Sequence, residues 1–173
     1  VLEIEDVIAK ALSVGKGITQ LGTDPFRDAA TILSREEDTF RPIRTLIHDL
    51  DAHLPHGGIC RGDLAVVLAL TGVGKTMFLI SCAKAAVIQN KKVVYYTLEM
   101  SESDIAERFI ASFSSVKLKE LHENKAAVSK RMQNLGFMYE NCLLVKGFPS
   151  QTASVKTFDA HLRMVYAQLE YKP

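Results

Sequence analysis

The sequence of 173 residues has an apolar fraction of 47%, a charged fraction of 24% and a formal net charge of +1. These values are typical of an ordinary globular domain and exclude a disordered chain or a strongly basic one, although a local patch for nucleic acid stays open. No apolar run approaches the ~20 residues of a transmembrane helix and no signal peptide opens the sequence, so we expect a cytoplasmic protein without a membrane partner.

Residues 1–40 differ from the rest and predict a helical arm. Apolar side chains at helical spacing indicate a first helix that ends at Gly15-Lys-Gly17. Asp24 as N-cap and Pro25 at the first helical position predict a second helix. The arm is too poor in apolar residues for its own core, so it packs on the main domain, packs on a neighbouring subunit or acts as a linker. The apolar positions of the first helix are Leu2, Ile4, Val7, Ile8 and Leu12.

Cysteine and histidine spacing gives no sign of a disulfide framework or a zinc site. The three cysteines are far apart and form no C-x-x-C pair, which is typical of reduced thiols. Three histidines cluster before the first strand without a metal-ligand spacing, and we interpret them as solvated loop residues. The cysteines are Cys60, Cys82 and Cys142, and the histidines are His48, His53 and His56.

The next segment, residues 46–63, leads into a predicted buried strand. A short helix is expected around Leu46 to Leu54, followed by a Pro-His-Gly-Gly turn, and Arg61-Gly62-Asp63 forms a tight turn into the strand. Residues 64–70 (LAVVLAL) are a continuous apolar run of strand length. Such a run predicts a strand that is buried on both faces.

A glycine loop and a helix follow this strand, in the order that a phosphate-binding loop requires. Gly72 and Gly74 allow positive φ and a close approach of backbone N–H groups to an anion. Lys75 is expected to reach the β- and γ-phosphates, and Thr76 to offer a hydroxyl to Mg²⁺. The first glycine of the strict pattern is replaced by Ala69, which leaves a chance Gly-Lys-Thr as the alternative. The expected nucleotide-binding residues are Thr71, Gly72, Val73, Gly74, Lys75, Thr76 and Met77.

A second strand, residues 93–98, ends at Glu99, where ligands collect in parallel sheets. This carboxylate either accepts the proton of a water that attacks the γ-phosphate or merely favours the start of the next helix. Ser101-x-x-Asp104 is a capping-box-like start for that helix. Its inward residues are expected to be Ile105, Phe109, Ile110 and Phe113.

The remaining elements complete an α/β pattern. Residues 116–135 are lysine-rich and helical, with a break near Asn124, and favour a solvated face over a DNA site. A third strand over 143–146 and a loop over 147–150 precede a helix that Ser154 caps. Alternating strands and helices predict a parallel sheet flanked by helices. The apolar face of the last helix is expected to comprise Val155, Phe158, Leu162, Val165 and Leu169.

Three segments together resemble the RecA-type motor domain of DnaB-type replicative DNA helicases: 57–64 (GGICRGDL), the Ala69-led loop and 97–101 (TLEMS), with 43–51 similar to the family's lead-in. The family commonly has Ala where Ala69 stands. The resemblance covers residues 41–173 and implies a RecA-like P-loop NTPase core that binds ATP and Mg²⁺. It also implies catalytic roles for Glu99 and Lys75, single-stranded DNA as a partner, and a homo-oligomeric ring, expected to be a hexamer.

The resemblance further implies that the domain is truncated at its C-terminus. In the family, a helix like that at 154–169 precedes an apolar strand ending in an aspartate that orients Mg²⁺, the Walker B element. This sequence ends at Pro173, where that strand would begin. We therefore expect residues 41–173 to be the N-terminal part of such a domain. A different RecA-like ATPase, or a nucleotide-binding module without hydrolysis, stays open as an alternative.

Overall fold

The computed structural model describes residues 24–30, 41–149 and 152–169, and its compact units divide between Thr39 and Phe40. Within those residues no helix is both long and apolar enough to cross a membrane. Short 3-10 turns lie at Pro55–Gly57 and Leu118–Glu120. The helices and strands are α1 (His48–His53), α2 (Lys75–Ile88), β1 (Val93–Thr97), α3 (Glu102–Ser114), α4 (Lys125–Met138), β2 (Leu143–Gly147) and α5 (Val155–Leu169).

The two strands form a small parallel sheet. Val93 lies opposite Leu143, and the register continues to Thr97 opposite Gly147. Because α3 and α4 lie between the strands in sequence, the connection is a helical crossover, as parallel pairing requires. The predicted α/β class with a parallel sheet is confirmed.

Adjacent residues of β1 direct their rings to opposite faces of this sheet. Tyr95 packs edge-on against Phe109 of α3, with ring centroids 5.3 Å apart. Tyr96 packs against Phe158 of α5 at 4.8 Å, and its hydroxyl lies 2.9 Å from Nδ1 of His161. Since side chains alternate along a strand, α3 covers one face and α5 the other. Helices therefore flank both faces of the sheet.

The hydrophobic core lies on the α2–α3 side of the sheet. Ile80 of α2 and Ile105 and Phe109 of α3 are at most 3% exposed and contact one another. Half-buried Tyr95 and Leu143 close this cluster from the strands. Two of the four α3 residues expected to face inward are thus fully buried, while Ile110 and Phe113 are half-buried.

The prediction that residues 64–70 form a buried strand is wrong for the described structure. The segment pairs with no other described strand, and Leu64, Leu68 and Leu70 are 89%, 90% and 82% exposed. A strand is buried on both faces only when neighbouring strands and helix layers cover it. The two described strands pair with each other, and within the described residues this run has no strand partner.

Local signals in the sequence place most element boundaries correctly. The Ser101 hydroxyl accepts a hydrogen bond from the Asp104 amide at 3.1 Å, which is the predicted cap of α3. Asn124 separates the 3-10 turn from α4, as predicted, although α4 continues to Met138. The Ser154 hydroxyl accepts from the Thr157 amide at the start of α5. Val155 is an error of the periodicity argument: it is 83% exposed because it lies in the first turn, ahead of the packed face.

Of the N-terminal unit, the structure describes residues 24–30. Asp24 Oδ1 accepts hydrogen bonds from the amides of Phe26 at 3.0 Å and Arg27 at 3.4 Å. Helical conformation begins only at Ala29, because residues 25–28 form turns and a bend. The predicted helix over Leu2 to Leu12 lies outside the described residues.

Candidate functional site

The glycine loop has the backbone conformation that its sequence requires. Gly72 has φ of +81° and Gly74 has φ of +105°. A Cβ added to either residue would meet no atom within 4 Å, so these glycines are needed for their backbone conformation and leave open space beside the loop. Gly74 is also the N-cap of α2, which begins at Lys75.

The start of α2 leaves its first backbone N–H groups available to an anion. No side chain caps this helix and its first turn contains no acidic residue. The Phe78 amide is bonded to the Gly74 carbonyl at 2.9 Å, which closes the first turn. The amides before Phe78 have no intrahelical acceptor, and the helix dipole adds a partial positive charge at this end.

Lys75 adds a full positive charge at the same place. Its ammonium nitrogen donates to the carbonyl oxygens of Ala69 at 2.8 Å and Leu70 at 3.1 Å. The side chain therefore folds back over the loop in place of extending into solvent. Uncapped amides together with an ammonium group suit a phosphate anion.

The other predicted binding residues lie around this loop with different exposures. Thr71 is exposed and Thr76 is half-buried at the helix start, which leaves the Thr76 hydroxyl as a candidate oxygen ligand for Mg²⁺. Val73 is 68% exposed and Met77 is 44% exposed. In the described residues no group of three His, Cys, Asp or Glu side chains could hold a metal ion.

Sequence reasoning missed one cation beside the loop. Nη1 of Arg108 lies 3.8 Å from the Met77 sulfur, and its Nε is buried without a hydrogen-bond partner. An arginine inside an amphipathic helix gives no signal of its own. Arg108 lies three residues after Ile105 and reaches the start of α2. This contact depends on how α2 packs against α3, which the sequence of α3 alone does not reveal.

Glu99 lies in a tight turn after β1. The Thr97 hydroxyl donates to the Met100 carbonyl at 2.9 Å and accepts from the Met100 amide at 3.3 Å, so it closes the turn around Glu99. The Glu99 side chain is exposed and has no hydrogen-bond or ion-pair partner among the described residues. It lines a cavity of about 350 Å³ at the carboxyl ends of β1 and β2, with Glu102, Gly147 and Phe148.

The structure does not bring the two halves of the predicted site into one cavity. The cavity at Glu99 is lined by the turns after β1 and β2, and no loop residue from 71 to 77 lines it. No hydrogen bond or ion pair within the described part of the chain joins Lys75 to Glu99. Glu99 follows β1, whereas the glycine loop follows residues 64–70, which are not part of the described sheet that contains β1.

The histidines and cysteines have ordinary roles in the described structure. His53 Nδ1 bonds to the carbonyl of Asp49 at 2.6 Å, within α1. All three cysteines are free and half-buried, in agreement with the expectation of reduced thiols. Burial raises the pKa of the Cys82 thiol, and the nearby charge of Asp51 raises it further, so this thiol is a poor nucleophile.

Comparison with known proteins gives a family match over most of the chain. The model of the DnaB-like helicase C terminal domain matches residues 42–171. A replicative DNA helicase DnaB of Synechocystis sp. is 36% identical over 80 residues, which are 46% of this chain and 9% of the relative. A probable replicative DNA helicase of Guillardia theta is 30% identical over 103 residues, 58% of this chain and 17% of the relative. A DnaB of Buchnera aphidicola is 28% identical over 117 residues, 67% of this chain and 25% of the relative. The chain thus spans a quarter or less of the length of these curated relatives.

Proposed function

The chain belongs to the family of DnaB-like helicase C-terminal domains, and from that premise we propose that it is part of an ATP-hydrolysing motor that moves a replicative helicase along single-stranded DNA. Its residues 41–173 are then the N-terminal part of a RecA-like P-loop core, and residues 1–40 the arm or linker that precedes it. The motor works as a homo-oligomeric ring, a hexamer in this proposal.

The observation that carries the proposal is the Lys75 ammonium group folded over a loop with two left-handed glycines and an uncapped helix start. A triphosphate needs donors in a concave arrangement and a positive charge that can follow the transferred phosphoryl group. In this proposal the phosphates displace the Ala69 and Leu70 carbonyls from Lys75. The same anion accepts hydrogen bonds from the backbone amides in the first turn of α2.

The chemistry assigns different tasks to three side chains. Lys75 neutralises charge on the β- and γ-phosphate oxygens, and the Thr76 hydroxyl would hold Mg²⁺, which would supply further positive charge against those phosphates when bound. Glu99 orients the attacking water and accepts its proton. An exposed carboxylate without a partner is available for that role, and in this proposal the loop brings the bound nucleotide to the turn at 98–101.

The exposed run 64–70 supports the proposal that these residues are part of a larger sheet. Four exposed large apolar side chains on one short segment are unusual on a protein surface, and they favour burial by further strands. In a RecA-like core such strands hold the phosphate-binding loop beside the strand that carries the catalytic carboxylate. The exposed residues are Leu64, Val66, Leu68 and Leu70.

A second candidate function is nucleotide binding without hydrolysis. It is favoured by the position of Glu99, which lines a cavity that contains no residue of the loop. In that case the loop still binds a triphosphate, but no base is close enough to activate water. A different RecA-like ATPase without unwinding activity is the remaining alternative.

Strand displacement on forked DNA by the complete protein tests the proposal. The parental protein is expected to release the labelled strand with ATP and Mg²⁺ but not with a non-hydrolysable ATP analogue, and Lys75→Ala is expected to release none. ATP hydrolysis without displacement would favour the other RecA-like ATPase. Nucleotide binding without hydrolysis would support the nucleotide-binding module and contradict the proposal of a motor.

A further inference from the structure

Glu102 connects the first turn of α3 to the end of β2. Its Oε2 accepts a hydrogen bond from the Gly147 amide at 2.9 Å and lies 3.5 Å from Nζ of Lys146. These partners are 45 and 44 residues away in sequence. A carboxylate in a first helical turn is favoured by the helix dipole anyway, but this side chain turns to a neighbouring strand and bonds to its backbone.

The two segments approach each other so closely that a side chain at position 147 would interfere. A Cβ on Gly147 would lie 3.3 Å from Cβ and 3.4 Å from the amide nitrogen of Glu102, and 3.5 Å from Cγ2 of Thr97. The glycine thus allows the end of β2 to rest directly on the start of α3. The hydrogen bond from Gly147 to Glu102 spans this narrow contact.

The same contact borders the turn that carries Glu99. That turn begins at Thr97, whose hydroxyl closes it onto Met100, and it ends at Ser101, which caps α3. Glu102 is the next residue. Glu99 and Glu102 both line the cavity whose far wall is formed by Gly147 and Phe148. A movement of Glu102 away from Gly147 therefore also moves the Ser101 end of the turn.

We propose that Glu102 is a positioning residue that fixes the direction of Glu99 by bonding to the Gly147 amide. This inference rests on the proposed function, since it assigns Glu102 a task in ATP hydrolysis. Glu102 does not touch the nucleotide. Its carboxylate holds the C-terminal end of the turn while Thr97 holds the N-terminal end, so that Glu99 has one orientation toward the attacking water. Small displacements of a base from a near-attack geometry lower turnover strongly. In this proposal nucleotide affinity depends instead on the loop at 71–77.

Three variants of the complete protein separate positioning from simple support of the fold. Glu102→Ala removes the acceptor for Gly147. Glu102→Gln keeps an acceptor oxygen without the charge, and Lys146→Ala removes the ion pair while the hydrogen bond stays. Glu107→Ala is the matched control, because it deletes a carboxylate from the same helix. The Glu107 carboxylate lies 3.9 Å from Nε2 of His122 and does not bond to β2.

Steady-state ATPase and hydrogen–deuterium exchange are measured on each variant. For Glu102→Ala we expect kcat to fall roughly tenfold or more while KM for ATP stays within about twofold, because the loop at 71–76 is untouched. Exchange is expected to rise in peptides covering 98–101 and 147–149 but not 71–76. Glu102→Gln is expected to restore most of kcat, and Lys146→Ala and Glu107→Ala to resemble the parental protein.

Several results would overturn the inference. Unchanged kcat in Glu102→Ala, or exchange that rises uniformly over the domain, would reduce Glu102 to a support of the fold. Failure of Glu102→Gln to recover turnover would assign the effect to charge and not to the hydrogen bond. If the parental protein and all variants bind ATP without hydrolysis, the proposed function fails and this inference fails with it. If the parental protein hydrolyses ATP, the variants test the role of Glu102 alone.

Discussion

The ammonium nitrogen of Lys75 lies 2.8 Å from the carbonyl oxygen of Ala69, so the lysine is bound to the loop that it follows. The interaction holds the side chain against the residues that lead into the glycine loop. It also means that a ligand must compete with two carbonyl acceptors, Ala69 and Leu70, for the same ammonium group. A phosphate can do so because a charged acceptor binds an ammonium group more strongly than a neutral carbonyl does.

Lys75→Ala is expected to weaken nucleotide binding. Hydrogen bonds to charged groups contribute ~1.5–3 kcal/mol, which corresponds to affinity lower by roughly 10- to 150-fold. Equilibrium titration with a fluorescent ATP analogue measures the change. Lys91→Ala is the control, since it removes the same charge from the exposed turn after α2. Equal affinity in the Lys75 variant and the parental protein would exclude this loop as the phosphate site.

Glu99→Gln is expected to keep nucleotide binding and lose hydrolysis. A positioned general base contributes about 10²- to 10⁴-fold to the rate, and the amide cannot accept the proton. Single-turnover hydrolysis and a binding titration on the same preparation distinguish the two steps. Glu123→Gln is an exposed control for the change of charge. Normal turnover in the Glu99 variant would leave this residue with a structural role only.

The parts of the fold that sequence predicts well are those set by neighbouring residues. The Ser101 cap, the break at Asn124 and the helix that follows the glycine loop depend on residues within one helical turn, and the structure has all three. The positive φ values of Gly72 and Gly74 belong to the same class.

The errors and omissions depend instead on partners far away in sequence. Leu64 and Leu68 are apolar enough for a buried strand, but burial depends on what covers them, which the run itself cannot specify. The bond from Gly147 to Glu102 joins residues 45 positions apart, and neither residue has a local pattern that reveals it. The contact of Arg108 with Met77 arises in the same way, from the packing of two helices.

Thr97→Val tests the closure of the turn around Glu99. Valine keeps the shape of the side chain, which is 6% exposed, but loses both hydrogen bonds to Met100. We expect a loss of ~1–3 kcal/mol in the free energy of unfolding, because the Met100 backbone groups lose their partner, together with slower hydrolysis. Thr97→Ser keeps the hydroxyl and is expected to retain turnover. If both variants hydrolyse ATP at the parental rate, the hydroxyl does not orient Glu99.

Two glycine substitutions are expected to change stability in opposite directions. A Cβ on Gly58 would lie 2.6 Å from the carbonyl oxygen of Ile43, which is bonded to the Ile59 amide, so Gly58→Ala must separate these segments. Overpacking of this kind costs ~1–3 kcal/mol. Gly136 lies inside α4 with open space around its Cβ position, and alanine there should add up to ~1 kcal/mol. Urea unfolding with a constant m-value measures both, and stabilisation by Gly58→Ala would contradict the close contact.

Asp51 is expected to make stability fall in acid. Partial desolvation raises the pKa of its carboxyl, but hydrogen bonds from the Thr45 hydroxyl and the Thr45 and Leu46 amides outweigh it, so the pKa lies below its ordinary value. The folded protein then binds this proton less readily than the unfolded chain does. The contribution of Asp51 to the free energy of unfolding is therefore complete above the unfolded pKa of about 4 and is lost as pH falls through the lower folded pKa.

Unfolding free energies measured from about pH 6 downward should decline less steeply in Asp51→Asn than in the parental protein. Asp49→Asn is the control for the change of charge, since it removes a carboxylate that is 97% exposed. An identical slope in Asp51→Asn would show that the three hydrogen bonds at Thr45 and Leu46 do not depend on the charge of the carboxylate.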